Sequence, residues 1–159
     1  MVEIVRADLT NPLHADALIS LMESYSLDPM GGGKELSEYA IVHLVKALND
    51  RKDTYVILAY LKNQAVGLIT CIEGFSTFVC KPLLNIHDAV VLKEYRGQGI
   101  LKKMLIEAEN IAIETGCCKL TLEVLEGNIP AQSAYAKYGF VGYELDPQMG
   151  KALFWEKTL

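Results

Sequence analysis

An apolar run, Ala89-Val90-Val91-Leu92, is followed closely by Arg96-Gly97-Gln98-Gly99, and helical apolar periodicity then starts at Ile100. No other stretch constrains the fold as strongly, because it sets a strand, a tight glycine-bearing turn and a helix start in immediate succession. Glycines lack a Cβ, so the backbone at 97 and 99 can approach a bound group closely. The first N–H groups of a helix have no intrahelical acceptor and suit an anion. Arg96 adds a planar fork of donors. The segment is therefore a candidate anion cradle, and it reads equally well as a surface turn whose glycines serve conformation alone. It is neither of the two commonest phosphate loops. Lys102 stands where G-x-G-x-x-G needs its third glycine, and no G-x-x-x-x-G-K-[ST] occurs.

A second signal lies downstream in Asn128-Ile129-Pro130-Ala131-Gln132-Ser133-Ala134-Tyr135-Ala136-Lys137-Tyr138-Gly139-Phe140. Asn128 is a favourable N-cap, Pro130 falls in the first turn where its missing N–H does no harm, and Gly139 ends the helix. Spacings of three and four place Asn128, Ala131 and Tyr135 on one helix face. That face carries an amide, a methyl and a phenol. An ordinary capped helix with Tyr135 in the core is the simpler reading of this segment alone.

Taken together, the two motifs resemble the GNAT superfamily of N-acetyltransferases. Its pyrophosphate loop, [QR]-x-x-G-x-[GA], maps onto Arg96, Gly99 and Leu101, with leucine in place of the final small residue. Its later helix, N-x-x-A-x-x-x-Y-x-x-x-G-F, maps onto Asn128, Ala131, Tyr135, Gly139 and Phe140. The resemblance implies an α+β fold, with a mixed, mostly antiparallel central sheet of six to seven strands and helices on both faces. It implies acetyl-CoA as co-substrate, with its pyrophosphate on Arg96, Gly97, Gln98, Gly99, Ile100, Leu101 and Lys102. Two central strands, Leu84–Leu92 and Lys119–Leu125, would splay to admit the pantetheine arm. Backbone groups of Ala89, Val90 and Val91 would bond that arm like an added strand, and Asn128 would complete the cofactor site. Leu101 belongs to the apolar stripe of Met104, Leu105 and Ala108, which turns it to the core.

Acetyl transfer from a thioester needs a neutral amine, a stabilised oxyanion and a proton for the departing thiolate. Tyr135 matches the family tyrosine beside the sulfur, and a phenol keeps its proton at neutral pH. His87 is the candidate base. Period-two alternation places Asn85, His87, Ala89 and Val91 on one strand face, and arylalkylamine acetyltransferases carry a histidine at the matching position. A hydrogen-bonded structural histidine is the alternative. The same alternation turns Asp88 away and gives it a structural role. Glu73, Glu123 and a water chain are reserves.

Family specificity usually resides in the first two helices and their connection, here Tyr25 to Lys34, whose three glycines suggest a mobile lid. Glu23 and Asp28 could meet an ammonium, or could be solvated surface charges. Phe75-Ser76-Thr77-Phe78 resembles the corresponding segment of diamine acetyltransferases and favours a small-molecule amine over a histone-type peptide. A non-catalytic acetyl-CoA-binding regulatory module is the alternative function.

The remaining bounds agree. A chain of 159 residues suits one domain, 1–159, with a real core. With 51% hydrophobic and 22% charged residues it is globular in composition. A net charge of −5 without a basic block argues against a nucleic-acid partner. No signal-peptide core opens the chain, and no apolar run approaches the ~20 residues of a membrane span. Cys71, Cys80, Cys117 and Cys118 show no paired spacing, and three of them lie in or beside apolar strand patterns, as expected of buried, reduced thiols in a cytoplasmic protein. His14, His43 and His87 lie in different elements, so no metal site is expected. A homodimer is left open.

Along the chain the patterns predict β-α-α-β-β-β-α-β-α-β-β. The first helix has a stripe of Leu13, Ala17, Leu18, Leu21 and Met22. The second, Lys34–Leu48, has a band of Leu36, Tyr39, Ala40, Val42, His43 and Ala47. The third, Ile100–Glu114, buries Leu101, Met104, Leu105, Ala108, Ile111 and Ala112. The last two strands are expected at Val141–Leu145 and Ala152–Glu156.

Overall fold

Capping chemistry and alternation set most of the elements in the computed structural model, which describes residues 1–159. The chain forms two compact units, Met1–Leu125 and Glu126–Leu159. In the first unit, strand β1 (Val2–Arg6) precedes helix α1 (Pro12–Leu27). Asn11 caps α1 by accepting the Leu13 N–H, and Pro12 occupies the first turn. A short 3₁₀ turn, Pro29–Gly31, leads to helix α2 (Glu38–Asn49), and strands β2 (Thr54–Leu61), β3 (Gln64–Ser76) and β4 (Lys81–Val91) follow. Helix α3 (Ile100–Glu114) and the short strand β5 (Leu120–Leu122) complete the unit.

The sheet runs in the order β1-β2-β3-β4-β5. The first three pairings are antiparallel and β4–β5 is parallel. Helix α1 covers one face. Its Ala17, Leu18 and Leu21 form a buried cluster with Val56, Leu58, Leu68 and Val90, and Val45 and Leu48 of α2 join the cluster's edge. Helix α3 covers the other face. Gly67 lies one residue from Leu68 and so points oppositely. A Cβ on Gly67 would come within 2.9 Å of the Met104 methyl, so glycine here permits the close seating of α3 on the sheet. Arg6 ties β1 to α3 through Glu107 and a two-pronged contact with Glu114.

Several expectations need correction. Helix α2 begins at Glu38 and not at Lys34, because Ser37 accepts the Ala40 N–H and caps it there. Its Tyr39 and Val42 are exposed, at 73% and 71%. The helix meets the core through Val45 and Leu48, neither of them in the expected band, so that band was misplaced around the helix. Leu13 of α1 is likewise exposed. In α3 the fully buried residue of the first turn is Ile100, while Leu101 is half-buried. Of the cysteines Cys71 is buried, Cys117 is half-buried, and Cys80 and Cys118 are exposed.

The second unit consists of helix α4 (Ile129–Tyr138) and the segment after it. The sheet has five strands and not six to seven. In place of the strands expected at Val141–Leu145 and Ala152–Glu156 there is one isolated bridge, Glu144 with Lys151, around a turn pinned by Asp146. A lone pair of extended segments is marginal without a further strand or an apolar face beneath it.

Candidate active site

Strands β4 and β5 share only three register pairs, Leu84–Leu120, Asn85–Thr121 and Ile86–Leu122. Beyond Ile86, the β5 side of β4 has no strand partner. The Leu92 N–H donates to the Val66 carbonyl at 3.0 Å. Antiparallel alternation then gives Val90 its ladder bonds to Leu68 on β3 and turns the backbone groups of Ala89 and Val91 to the open edge. Val90 also buries its side chain in the α1 cluster. The groups free for a ligand on this edge are therefore the N–H and carbonyl of Ala89 and the N–H of Val91, whose carbonyl is taken by Arg96.

The phosphate-loop candidate follows directly. A 3₁₀ turn, Lys93–Tyr95, is pinned by the Tyr95 hydroxyl, which donates to Gln64 Oε1 at 2.9 Å. Gly97 and Gly99 both adopt φ +76°, the left-handed region that favours glycine. A Cβ at either position would meet nothing within 4 Å, so neither glycine is there to make room for neighbouring protein atoms. Gly99 is the N-cap of α3 and offers no side-chain acceptor. The first ladder bond of the helix is Lys103 N–H to the Gly99 carbonyl, 3.2 Å. The N–H groups of Ile100, Leu101 and Lys102 thus lie before the ladder begins. A bare helix start beside an unpaired strand edge fits an extended ligand with an amide-bearing arm and an anionic group.

Arg96 is not a free fork. Its Nε donates to the Val91 carbonyl at 2.9 Å, and Nη2 donates to Asp28 Oδ2 at 2.8 Å. The Arg96 guanidinium, followed by the Met30 N–H, holds the Asp28 carboxyl below its usual range. Sequence reasoning offered Asp28 as an ammonium contact or a solvated charge and did not find this partner.

The alternation argument for His87 fails at a β-bulge. Thr70 pairs with Asp88 and Cys71 with Ile86, so His87 is the extra residue between them. The bulge reverses the parity of the strand. Asn85 shares a face with Asp88 and Val90, not with Ala89 and Val91. His87 itself is exposed. Asp88 is half-buried. Burial pushes its carboxyl above the usual range, opposed by the His87 charge and the nearby Thr70 hydroxyl. Thr70 Oγ1 is buried without a partner at full hydrogen-bonding geometry. Desolvation, with the Asp88 charge, pushes the Cys71 thiol up to about 12.

Of the reserve carboxylates, Glu123 stands just past the last paired residue of β5, and Asn85 Nδ2 reaches its Oε2 at 3.4 Å as well as Thr121 Oγ1 at 3.1 Å. Glu73 pairs with Leu84, away from the open edge.

In the second unit, Asn128 caps α4 by accepting the Ala131 N–H at 3.3 Å. Gly139 takes φ +117° and returns its N–H to the Tyr135 and Ala136 carbonyls. Tyr135 is buried and meets Phe140 edge-on, with centroids 5.8 Å apart.

Residues 18–140 match the family model described as "Acetyltransferase (GNAT) family". An N-alpha-acetyltransferase MAK3 of Arabidopsis thaliana is 33% identical over 84 residues, which are 53% of this chain and 43% of that protein. The chain spans less than two thirds of the length of the curated relatives it matches. Among solved structures, an aminoglycoside acetyltransferase, meta-AAC0020, from an uncultured soil metagenomic sample, in complex with sisomicin, superposes with a TM-score of 0.80 at 23% identity, covering 99% of this chain and 96% of that one. AAC(6')-Iy in complex with a bisubstrate analog, CoA-S-monomethyl-acetylneamine, gives 0.78 at 15% identity, covering 100% and 99%.

Proposed function

Because the chain belongs to the GNAT acetyltransferase family, we propose that it transfers the acetyl group of acetyl-CoA to a primary amine of a small molecule, with residues 1–159 acting as one acetyltransferase domain. The observation that carries this reading is the unpaired edge of β4 at Ala89 and Val91, which runs into a glycine turn and the bare N-terminus of α3. An extended arm bearing amides can bond such an edge as an added strand, and a diphosphate is neutralised by convergent N–H groups at a helix start. Both features belong to coenzyme A, which supplies the activated acetyl group as a thioester. In this reading the N–H groups from Gly97 to Lys102 hold the diphosphate. Arg96 keeps the turn in place, and Asn128 completes the cofactor site.

The chain's own residues manage the protons. The Tyr135 hydroxyl gives a proton to the leaving sulfur. His87 takes one from the incoming ammonium, and its position on the bulge, exposed and beside the open edge, supports that role. Glu123, oriented by Asn85, is the second candidate. The neighbouring structures that hold sisomicin and an acetylneamine analog support a small amine as acceptor. The net charge of −5 suits a cation.

The test is a binding and turnover series on the full chain. Acetyl-CoA should raise the melting temperature with its concentration, as ligand linkage requires, where NAD and ATP do not. A panel of primary amines should then release free thiol from acetyl-CoA. Stabilisation by NAD or ATP in place of acetyl-CoA overturns the site reading. Binding without thiol release from any amine overturns the catalytic one.

A further inference from the structure

The ion pair between Asp28 and Arg96 joins two loops 68 residues apart in the chain, and each loop is organised around its own member of the pair. Asp28 is the hub of the α1–α2 connection. Its Oδ1 accepts the Met30 N–H at 2.9 Å, and its carbonyl accepts the N–H groups of Gly31 at 2.8 Å and Gly33 at 3.1 Å. The Lys34 N–H returns to the Ser26 carbonyl at 3.0 Å. Gly31 is seated against the end of α1, where a Cβ would fall 1.9 Å from the Tyr25 carbonyl oxygen. The connection, glycine-rich as it is, has a defined closed form. On the other side, Arg96 opens the glycine turn and holds the Val91 carbonyl. One guanidinium thus bridges the end of β4, the start of the coenzyme turn and the hub of the α1–α2 connection.

We infer that Asp28 is a positioning residue through which the coenzyme turn sets the closed form of the α1–α2 connection. This rests on the coenzyme placement proposed above. A ligand that immobilises Gly97 to Lys102 also immobilises Arg96, and a fixed Arg96 leaves Asp28 fewer alternatives. Filling the coenzyme site therefore tightens the connection, and by reciprocity whatever occupies the connection tightens coenzyme binding. Asp28 acts through Arg96 and has no part in the chemistry.

Hydrogen exchange on the full chain, with and without coenzyme A, tests this. Asp28→Asn keeps an oxygen for Met30 and the carbonyl for Gly31 and Gly33, and replaces the charged oxygen that Arg96 meets by an NH2 donor that cannot accept from it. In the parent protein, coenzyme A should slow exchange both at residues 97–103 and at residues 30–34, the latter by at least about fivefold, the low end of typical coupling. In Asp28→Asn the slowing at 97–103 should persist and that at 30–34 should vanish. Asp28→Ser, which keeps a cap oxygen for the Met30 N–H and offers Arg96 no carboxylate, should behave the same way and serves if the first variant folds poorly. A merely structural Asp28 would speed exchange at 30–34 without ligand yet leave the coenzyme-induced slowing intact. That result overturns the inference. Absence of slowing at 97–103 in the parent protein overturns the coenzyme placement, and the coupling with it.

Discussion

Replacing Gly99 by alanine separates conformational strain from ligand approach. Gly99 has φ +76°, and a Cβ there would meet no atom within 4 Å. The stability cost is therefore the left-handed backbone penalty alone, about 1–2 kcal/mol. For a chain of this size that lowers the melting temperature by roughly 2–8 °C. Gly116 is an internal control. Its φ is +72°, its surroundings are equally open, and it lies past the far end of α3, a helix about 22 Å long at 1.5 Å per residue. Gly116→Ala should show the same thermal shift. Binding is where the two should part. Strain present in both free and bound protein cancels from the affinity, so Gly116→Ala should bind acetyl-CoA as the parent does. At Gly99 the new methyl enters the space that the diphosphate is proposed to use, and the dissociation constant should rise at least about 30-fold, some 2 kcal/mol. Calorimetric titration of the three proteins reads this directly. Equal affinities in Gly99→Ala and Gly116→Ala would show that Gly99 serves only the turn, and would refute the cradle.

Three further outcomes are expected. Tyr135→Phe keeps the ring and removes the proton, so kcat should fall by about 10²–10⁴ with acetyl-CoA affinity nearly unchanged, and a rate within about threefold of the parent in steady-state assays removes Tyr135 from the acid role. His87→Ala should lose the enzyme's acidic limb in kcat/KM and recover partly at high pH, where free amine is abundant; a limb that survives the substitution transfers attention to Glu123 held by Asn85. Asp88→Asn should raise the melting temperature around neutral pH and lose that advantage in acid. Burial raises the native carboxyl above its unfolded value of ~3.9, so the cost of charging it is absent below that value and complete once pH exceeds the native one. Thermal melts across pH that show the larger gain in acid would reverse the sign and sink this reading of Asp88.

What was legible in the sequence was local. Asn11-Pro12, Asn128-Ile129-Pro130 and Gly139 announce helix ends because a cap is completed within four residues, and all three act as read. The order of elements through α4 was legible for the same reason. The last two strands were not. Val141, Tyr143 and Leu145 alternate as a strand would, but alternation states only which side chains share a face, and pairing needs a partner that no local pattern supplies. Tyr39 and Val42 make the complementary point. A helical period marks which residues lie on one stripe, while which stripe is covered depends on the side from which the rest of the protein reaches the helix, here that of Val45 and Leu48.

The candidate site divides along the same line. The glycine turn and the start of α3 could be read from Arg96 to Lys102 because backbone conformation there is local. The Asp28–Arg96 pair could not, since it joins two loops 68 residues apart. The bulge at His87 was hidden for a subtler reason. Strand parity is a property of the pair and not of the strand, and only the register against Thr70 and Cys71 reveals that β4 carries one residue too many. That extra residue falls directly after Ile86, the last residue of β4 to pair with β5. A bulge sharpens the local twist and bends its strand. The residue that reverses the faces of β4 therefore also turns the strand out of line with β5. It leaves Ala89 and Val91 with backbone groups to offer, and it leaves Asp88 half-buried while His87 stays exposed. Deleting His87 would restore a continuous alternation, at the expense of the open edge on which the proposed chemistry depends.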